Sequence, residues 1–238
     1  MGGFQTAIAN RCQPDRAGWW RTTLGQWRPL SRIRRGGFFL CMCLLALPQA
    51  NGGKFNRVLE IGDRAPRFAA IPGVDGKNYN ADSFASGAMT IVVFTCNSCP
   101  YSVDVQQRLV DLDAKVRVWG GQLVAINVNK TAEDRFPAMQ TRATEAGFRF
   151  PYLFDESQKV ARDFGATTTP EFFLLDSQWR VVYMGALDNS PDGKEITERY
   201  LETAMENLRE GKEQQTTETL PIGCRIRFDR SRRVPPPR

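Results

Sequence analysis

Apolar and polar residues follow one another along residues 60–211 in patterns that predict strands and helices in turn. Two short apolar runs, Thr90–Phe94 and Gln122–Asn127, are rich in β-branched or aliphatic residues and typical of buried central strands. Between them apolar residues recur at helical spacing, at Val105, Leu109, Leu112 and Val116. We therefore predict a buried strand, a helix and a second buried strand in that order.

The flanking segments continue this alternation. In chain order they predict an extended segment at 61–68, a turn at Asp75–Gly76, a strand from Asn78–Tyr79, a helix over 132–146, a strand at 152–154, a helix over 157–164, paired strands at 171–176 and 180–184, and a helix through Ile196, Tyr200, Ala204 and Leu208. Glycine follows each of these three helices, at Gly147, Gly165 and Gly211, as is common at helix ends.

Two cysteines, Cys96 and Cys99, lie between the first buried strand and the helix that follows it. Two intervening residues on the first turn of a helix bring the sulfurs within disulfide range, and the unpaired N–H groups there stabilise a thiolate. We predict that Cys96 is exposed and attacks, and that Cys99 resolves the mixed disulfide. Pro100 suits the first helical turn, where no intrahelical donor is needed.

The motif has other interpretations, which are a structural disulfide, half of a zinc site, or a haem attachment site. The chain contains no histidine, so no imidazole acid, base or ligand exists. Haem attachment would need histidine where Pro100 stands, and only Cys224 remains as a third thiolate for zinc in the mature chain. A structural disulfide at this spacing is uncommon. The pattern favours a redox pair with no metal and no cofactor, since no glycine-rich nucleotide loop is visible.

A second chemical feature is the Thr169–Pro170–Glu171 segment at the start of a predicted strand. A cis bond at Pro170 would turn the chain toward the cysteines and leave backbone groups free to pair with an extended substrate, although a trans proline is commoner at a strand start. Glu171 is either a proton acceptor for Cys99 or an exposed carboxylate at the strand edge.

The order β-α-β-α-β-α-β-β-α contains parallel crossover units followed by an antiparallel hairpin and a closing helix. Together with the position of the cysteines, it predicts an α/β thioredoxin fold. In this fold a central mixed sheet is flanked by helices, and here it carries an N-terminal strand extension and an inserted helix-strand segment.

Residues 59–228 resemble the thioredoxin-like redoxins related to alkyl hydroperoxide reductase/thiol-specific antioxidant proteins. The resemblance is to the peroxiredoxin-like subgroup with a Phe-Thr-Cys-Asn-x-Cys-Pro-Tyr signature. The matching segments are Ile61–Pro66, Phe94–Tyr101, Ala125–Asn127, Phe150–Asp155, Thr169–Glu171 and Ile222–Ile226. The resemblance implies a thioredoxin fold, a cis bond at Pro170, and Cys96 and Cys99 as the redox pair.

The chain departs from that pattern in two ways. Ser98 stands between the cysteines where the subgroup usually has histidine, so we expect a milder reduction potential. Peroxiredoxins place proline and threonine seven and three residues before their reactive cysteine, and here those positions are Met89 and Val93. Peroxidase chemistry is therefore disfavoured.

The prediction is a thiol-disulfide oxidoreductase that exchanges electrons with protein or small-molecule disulfides and thiols, and with an external dithiol reductant or oxidant. The alternatives are an antioxidant peroxidase and a redox-inert binding module with a fixed disulfide. Cys224 either relays electrons to the pair, joins two chains, or is a free thiol in a tail.

Charge is unevenly placed along the chain. The net charge is +6 over residues 1–50, +5 over 225–238 and −5 over the residues between. The basic balance therefore belongs to the two ends, and nucleic acid is not a predicted partner.

The first 50 residues predict a leader. Arg34 and Arg35 precede the apolar run Phe38–Leu47, and Ala50 follows it, as in a secretory signal cut after Ala50 or an uncleaved signal anchor. Export is therefore expected, with membrane attachment only through an uncleaved leader. Cleavage would remove Cys12, Cys41 and Cys43. The predicted organisation is a leader (1–50), a redoxin domain (51–224) and a basic, proline-rich tail (225–238).

Overall fold

The computed structural model describes residues 52–229. In chain order its elements are β1 (Ile71–Pro72), β2 (Asn78–Tyr79), a 3-10 turn (Ala81–Phe84), β3 (Met89–Phe94), α1 (Pro100–Asp104), α2 (Gln106–Val118), β4 (Gln122–Asn127), a 3-10 turn (Ala132–Asp134), α3 (Phe136–Glu145), β5 (Tyr152–Phe154), α4 (Lys159–Phe164), β6 (Thr168–Thr169), β7 (Glu171–Asp176), β8 (Val181–Gly185), α5 (Tyr200–Glu210) and β9 (Cys224–Arg225).

The central sheet has five strands in the order β5-β4-β3-β7-β8. Strands β3, β4 and β5 run parallel, whereas β7 is antiparallel to both β3 and β8. The short β1–β2 pair forms a separate antiparallel hairpin ahead of this sheet. The mixed sheet flanked by helices confirms the predicted thioredoxin fold.

Strand β3 is buried along its whole length because both faces of the sheet are covered. Successive side chains of a strand point to opposite faces. Ile91 and Val93 accordingly pack with α2 residues such as Leu109, whereas Phe94 packs on the other face against the rings of Phe164 and Phe173. This double burial fixes the end of β3, from which the cysteine loop departs.

Three predicted helices begin later than expected. The helix over 132–146 divides into the 3-10 turn and α3, with extended backbone at Arg135 between them. The helix predicted from residue 157 begins at Lys159, after Gln158 adopts a left-handed conformation. The last helix begins at Tyr200 and not near Ile196, because the Asn189 side-chain oxygen accepts hydrogen bonds from two backbone N–H groups at 197 and 198.

The C-terminal segment packs on the domain. Strand β9 pairs antiparallel with β6, placing Thr168 opposite Arg225 and Thr169 opposite Cys224. Ile226 is buried just after this pairing. The predicted domain end at 224 thus falls within a strand, and residues 225–229 pack against the domain.

The predicted leader, with Cys12, Cys41 and Cys43, and the remainder of the tail after residue 229 lie outside the described residues. Within residues 52–229, no helix combines the length and the apolar character needed to cross a bilayer.

Gly165 ends α4 in a left-handed conformation and also lies against Asn56. The Asn56 side chain is buried, donates to the Phe164 carbonyl at 2.8 Å and accepts from the N–H groups of Val58 and Leu59. A Cβ on residue 165 would overlap the Asn56 carboxamide. Asn56 thus ties the segment before β1 to the end of α4.

We expect Gly165→Ala to destabilise the fold more than Gly147→Ala. Both glycines have φ near +67°, so each substitution costs about 1–2 kcal/mol for a left-handed alanine. Only Gly165→Ala also displaces Asn56, since nothing lies within 4 Å of a Cβ on residue 147. Urea denaturation measures both losses, and equal losses would show that the Asn56 contact contributes nothing.

Candidate active site around Cys96 and Cys99

The cysteine loop begins where β3 leaves the sheet. The Thr95 N–H still donates to the Ile126 carbonyl at 3.0 Å, and the loop then runs through Cys96 to Cys99, the N-cap residue of α1. Pro100 occupies the first turn of the helix, as predicted. A buried strand and a helix start therefore hold the two sulfurs from opposite ends of the loop.

The cysteine pair is less accessible than expected. Cys96 and Cys99 are each 2% exposed, so the prediction of an exposed Cys96 is wrong. The proline loop, residues 167–170, covers this cysteine. The Thr169 hydroxyl lies 3.4 Å from the Cys96 sulfur. The Ser98 hydroxyl, on an exposed residue, lies 3.8 Å from the same sulfur.

Cys99 lies at the centre of a set of polar groups. Its sulfur is 3.0 Å from the Thr169 carbonyl oxygen, which accepts the proton of the thiol form. This sulfur is also faced by two backbone N–H groups, those of Ser102 and Cys224, and by the thiol of Cys224. Cys96, Cys99 and Cys224 are all free thiols in this structure.

The two sulfurs of the pair share one proton after the first ionisation. The Cys96 thiol donates to the Cys99 sulfur, and this hydrogen bond is the main reason that the pKa of Cys99 is lowered to about 4. The same hydrogen bond, together with burial and the charge of Asp134, raises the pKa of Cys96. The two adjacent sulfurs therefore carry one negative charge and one proton between them.

A buried carboxylate, Asp134, organises the other side of the loop. It is 0% exposed, and its Oδ1 accepts from the N–H groups of Asn97 (2.7 Å) and Ser98 (2.9 Å). Its Oδ2 accepts from the hydroxyls of Ser98 (2.6 Å) and Thr131 (2.8 Å). Asp134 thus holds the residues between the two cysteines through two backbone N–H groups and one hydroxyl.

Further buried hydrogen bonds fix Asp134 and the loop together. Asn127 donates to the Asp134 carbonyl at 2.7 Å, and Asn97 donates to the Glu133 carbonyl at 2.8 Å. The Tyr152 hydroxyl donates to the Asn97 side-chain oxygen at 3.1 Å. Because every member has a partner, this network specifies one loop conformation.

Sequence analysis missed Asp134. One signal was available, since Asp134 follows the carboxyl end of β4, and the carboxyl ends of parallel strands in such sheets commonly form the site.

The proline loop reaches both sulfurs of the pair. The Thr169–Pro170 bond is cis, as the resemblance implied. Thr169 contacts Cys96 through its hydroxyl and Cys99 through its carbonyl. The backbone of β6 is not open to an extended substrate as expected, because β9 already pairs with it.

Glu171 supports this loop from within the protein. It is 4% exposed, which excludes the exposed strand-edge interpretation, and its Oε2 accepts from the N–H groups of Thr167 (2.8 Å) and Thr168 (3.0 Å). Burial raises its pKa to about 7, while those two hydrogen bonds lower it. Its carboxylate therefore accepts both hydrogen bonds from the proline loop and none from Cys99.

The third cysteine joins the site. Cys224 lies on β9, is half-buried and faces Cys99, so the interpretation of a thiol in a loose tail is wrong. Burial and the neighbouring Cys99 raise the pKa of Cys224 to about 11.

Comparison with known proteins agrees with the fold. Residues 61–184 match the model of the AhpC/TSA family. Among solved structures, a hypothetical protein from Sinorhizobium meliloti is 32% identical, with a TM-score of 0.68 over 73% of this chain and 97% of that chain. An uncharacterized conserved protein from Geobacillus kaustophilus is 36% identical, with a TM-score of 0.68 over 72% of this chain and 94% of that chain.

A more distant structure shares the fold alone. A protein described as a thiol:disulfide interchange protein DsbE, from Chlorobium tepidum, is 22% identical, with a TM-score of 0.52 over 63% of this chain and 99% of that chain. Comparison with curated protein sequences gives no significant match.

We expect Asp134→Asn to lower the pKa of Cys96, because it removes the nearby negative charge. Alkylation of Cys96 at neutral pH should become several-fold faster, as followed residue by residue by mass spectrometry. The variant should also lose about 1–3 kcal/mol of stability, since the amide cannot accept all four hydrogen bonds.

Asp155→Asn is the matched control. Asp155 is also a buried carboxylate and accepts from the Val160 N–H and the Ser157 hydroxyl, but from no residue of the cysteine loop. It should leave Cys96 alkylation unchanged. If Asp134→Asn leaves that rate unchanged too, the assigned role of Asp134 is wrong.

Glu171 should make stability depend on pH. An unfolded glutamate ionises near pH 4.5, whereas buried Glu171 holds its proton to about pH 7. The folded state thus binds more protons between these values, and its stability falls as pH rises through this window. Glu171→Gln keeps an oxygen for both N–H groups, so it should be more stable than wild type at pH 8 by up to about 3 kcal/mol.

Urea denaturation from pH 4 to 8 tests this effect. The control is Glu218→Gln, which changes a half-buried glutamate that accepts from the Phe55 N–H. The gain in stability at pH 8 is expected for Glu171→Gln and not for this control. An unchanged profile in Glu171→Gln would contradict the raised pKa.

Proposed function

The chain belongs to the AhpC/TSA family, and from this membership and the site geometry we propose that it is a thiol-disulfide oxidoreductase acting through Cys96 and Cys99. The observation that carries the proposal is the pair of cysteines between β3 and α1, whose sulfurs both contact Thr169 beside cis Pro170. Its substrates are protein or small-molecule disulfides and thiols, and an external dithiol reductant or oxidant returns the pair to its starting state.

In the reducing direction, Cys96 attacks a substrate disulfide. Its proton passes to the Cys99 thiolate as the new sulfur–sulfur bond forms, so that Cys99 serves as the base. One substrate sulfur leaves as a thiolate, and the other stays bound to Cys96. The Thr169 hydroxyl, 3.4 Å away, is placed to donate to the Cys96 sulfur as charge develops there.

Resolution follows from the same geometry. The departing thiolate takes the proton from Cys99, and the Cys99 thiolate then attacks the Cys96 sulfur. The second substrate thiolate leaves, and the protein carries a Cys96–Cys99 disulfide. Two electrons have moved from the protein dithiol to the substrate disulfide, and oxidation of a substrate dithiol runs the same steps in reverse.

The chemistry of the site disfavours the alternatives. Peroxiredoxins place proline and threonine seven and three residues before their reactive cysteine, whereas strand β3 has Met89 and Val93 at those positions. The reduction potential of the pair distinguishes a working couple from a fixed structural disulfide.

The predicted leader adds the location to this proposal. Residues 1–50 would direct the domain out of the cytoplasm, where disulfides persist and an oxidoreductase finds oxidised substrates.

Trapping of the mixed disulfide tests the proposed roles. Cys99→Ser cannot resolve the intermediate, so glutathione disulfide should leave a stable glutathione adduct on Cys96, identified by mass spectrometry. Because Cys99 is also the base, this adduct should form more slowly at neutral pH than the first step in wild type, and it should accelerate as pH rises.

Cys96→Ser is the counterpart variant. If Cys99 in this variant is glutathionylated faster than Cys96 in Cys99→Ser, the roles of the two cysteines are reversed. If neither the wild type nor a variant reacts with disulfides but the wild type consumes hydrogen peroxide, the protein is a peroxidase and the proposal fails.

A further inference from the structure

The C-terminal strand occupies the position where an extended substrate would bind. In β9, Cys224 lies opposite Thr169, the residue before cis Pro170, in an antiparallel pairing. The Ile226 N–H continues this pairing by donating to the Thr167 carbonyl at 2.9 Å. Strand addition of this kind is how sheet edges capture extended peptides. The chain therefore supplies its own peptide to the edge beside the cysteines.

Close packing at Gly223 fixes the approach of this strand. A Cβ on residue 223 would overlap the carbonyl of Thr169, so only glycine permits the contact. The Thr169 hydroxyl oxygen also lies 3.5 Å from the Cys224 carbonyl oxygen. Thr169 thus contacts all three cysteine residues of the described chain.

The segment after β9 is held as firmly as the strand. The buried Gln158 side chain donates to the Arg227 carbonyl at 2.9 Å and accepts from the Asp229 N–H at 2.7 Å. The Arg227 N–H donates to the buried Asn129 side chain at 3.1 Å. These contacts anchor the strand on the side away from Gly223.

Cys99 stands between the other two cysteines. Its sulfur faces the thiols of both Cys96 and Cys224, whereas the thiol of Cys224 faces Cys99 alone. Cys224 is half-buried, while Cys96 is 2% exposed.

We propose that Cys224 is a third redox cysteine, which takes over the disulfide at Cys99 from Cys96 and presents it to the external dithiol partner. This inference rests on the proposed function of the Cys96–Cys99 pair. It assigns the C-terminal strand as an internal substrate of that pair.

The step is a thiol–disulfide exchange and needs no further oxidant. The Cys224 sulfur attacks the Cys99 sulfur of the Cys96–Cys99 disulfide. The Cys96–Cys99 bond breaks, a Cys99–Cys224 bond forms, and the proton of Cys224 ends on Cys96. The number of disulfides is unchanged, but the remaining one now includes the more exposed sulfur. A partner dithiol then attacks Cys224 and reduces the protein.

Disulfide mapping tests the exchange on the full-length chain with Cys12, Cys41 and Cys43 replaced by serine. The protein is oxidised with glutathione disulfide, quenched with acid, alkylated and mapped by mass spectrometry. We expect Cys96–Cys99 and Cys99–Cys224 disulfides in this background, Cys96–Cys99 alone in Cys224→Ser, and Cys99–Cys224 in Cys96→Ser. Cys99→Ser should form no Cys96–Cys224 disulfide, because Cys99 lies between them.

The rate of reduction by glutathione tests whether Cys224 presents the disulfide to the external partner. The oxidised background should be reduced faster than oxidised Cys224→Ser, since only the former offers a disulfide at Cys224. Gly223→Ala should lose the Cys99–Cys224 disulfide and keep Cys96–Cys99, because the added methyl group separates the strand from Thr169. Circular dichroism checks that this variant folds, and the serine variants test the exchange without it.

The inference is overturned if Cys224 stays fully alkylated in Cys96→Ser, with only glutathione adducts on Cys99. Equal reduction rates with and without Cys224 would show that Cys224 does not present the disulfide to the external partner. Either result leaves the proposed function standing if Cys224→Ser still forms a reversible Cys96–Cys99 disulfide. Loss of that disulfide in Cys224→Ser as well as in the background would contradict the proposed function itself.

Discussion

Two adjacent buried sulfurs cannot both carry a negative charge, and the site is built around the place of the single charge it can hold. The N–H of Ser102 and the N–H of Cys224 face Cys99, whereas the carboxylate of Asp134 lies on the Cys96 side. The pair therefore shares one proton, and in the proposed mechanism Cys99 is the base for the first step of exchange and the nucleophile for the second.

The proline loop links the cysteine pair to the C-terminal strand. Thr169 reaches the sulfurs of Cys96 and Cys99 and pairs with Cys224 on β9. Glu171 holds the loop through two backbone N–H groups, and its burial means that it is mostly protonated below neutral pH. The elements that position the sulfurs therefore come from four distant parts of the chain, which are β3, β4, the proline loop and the C-terminal strand.

Local sequence patterns were sufficient for the sheet and for the position of Cys96 and Cys99 between β3 and the next helix. Strands β3 and β4 are continuous apolar runs, and the helical spacing from Val105 to Val116 marks one buried face of α2. These features depend on neighbouring residues only. The apolar spacing that includes Ile196 placed the start of α5 too early. The Asn189 side chain holds that segment in a loop, and this contact leaves no periodic pattern in the sequence. Asp134 and Cys224 were missed or left open for the same reason, since they reach the cysteines only after the chain folds.

The central claim is that Cys96 and Cys99 form a working couple, and the reduction potential of this pair tests it most directly. The measurement uses full-length protein with Cys12, Cys41, Cys43 and Cys224 replaced by serine, equilibrated in glutathione buffers and quantified by alkylation. The account predicts a disulfide that opens within the range of known dithiol oxidoreductases, above about −300 mV. A disulfide that stays closed in these buffers, with a potential below that value, would contradict the account and leave a structural cross-link.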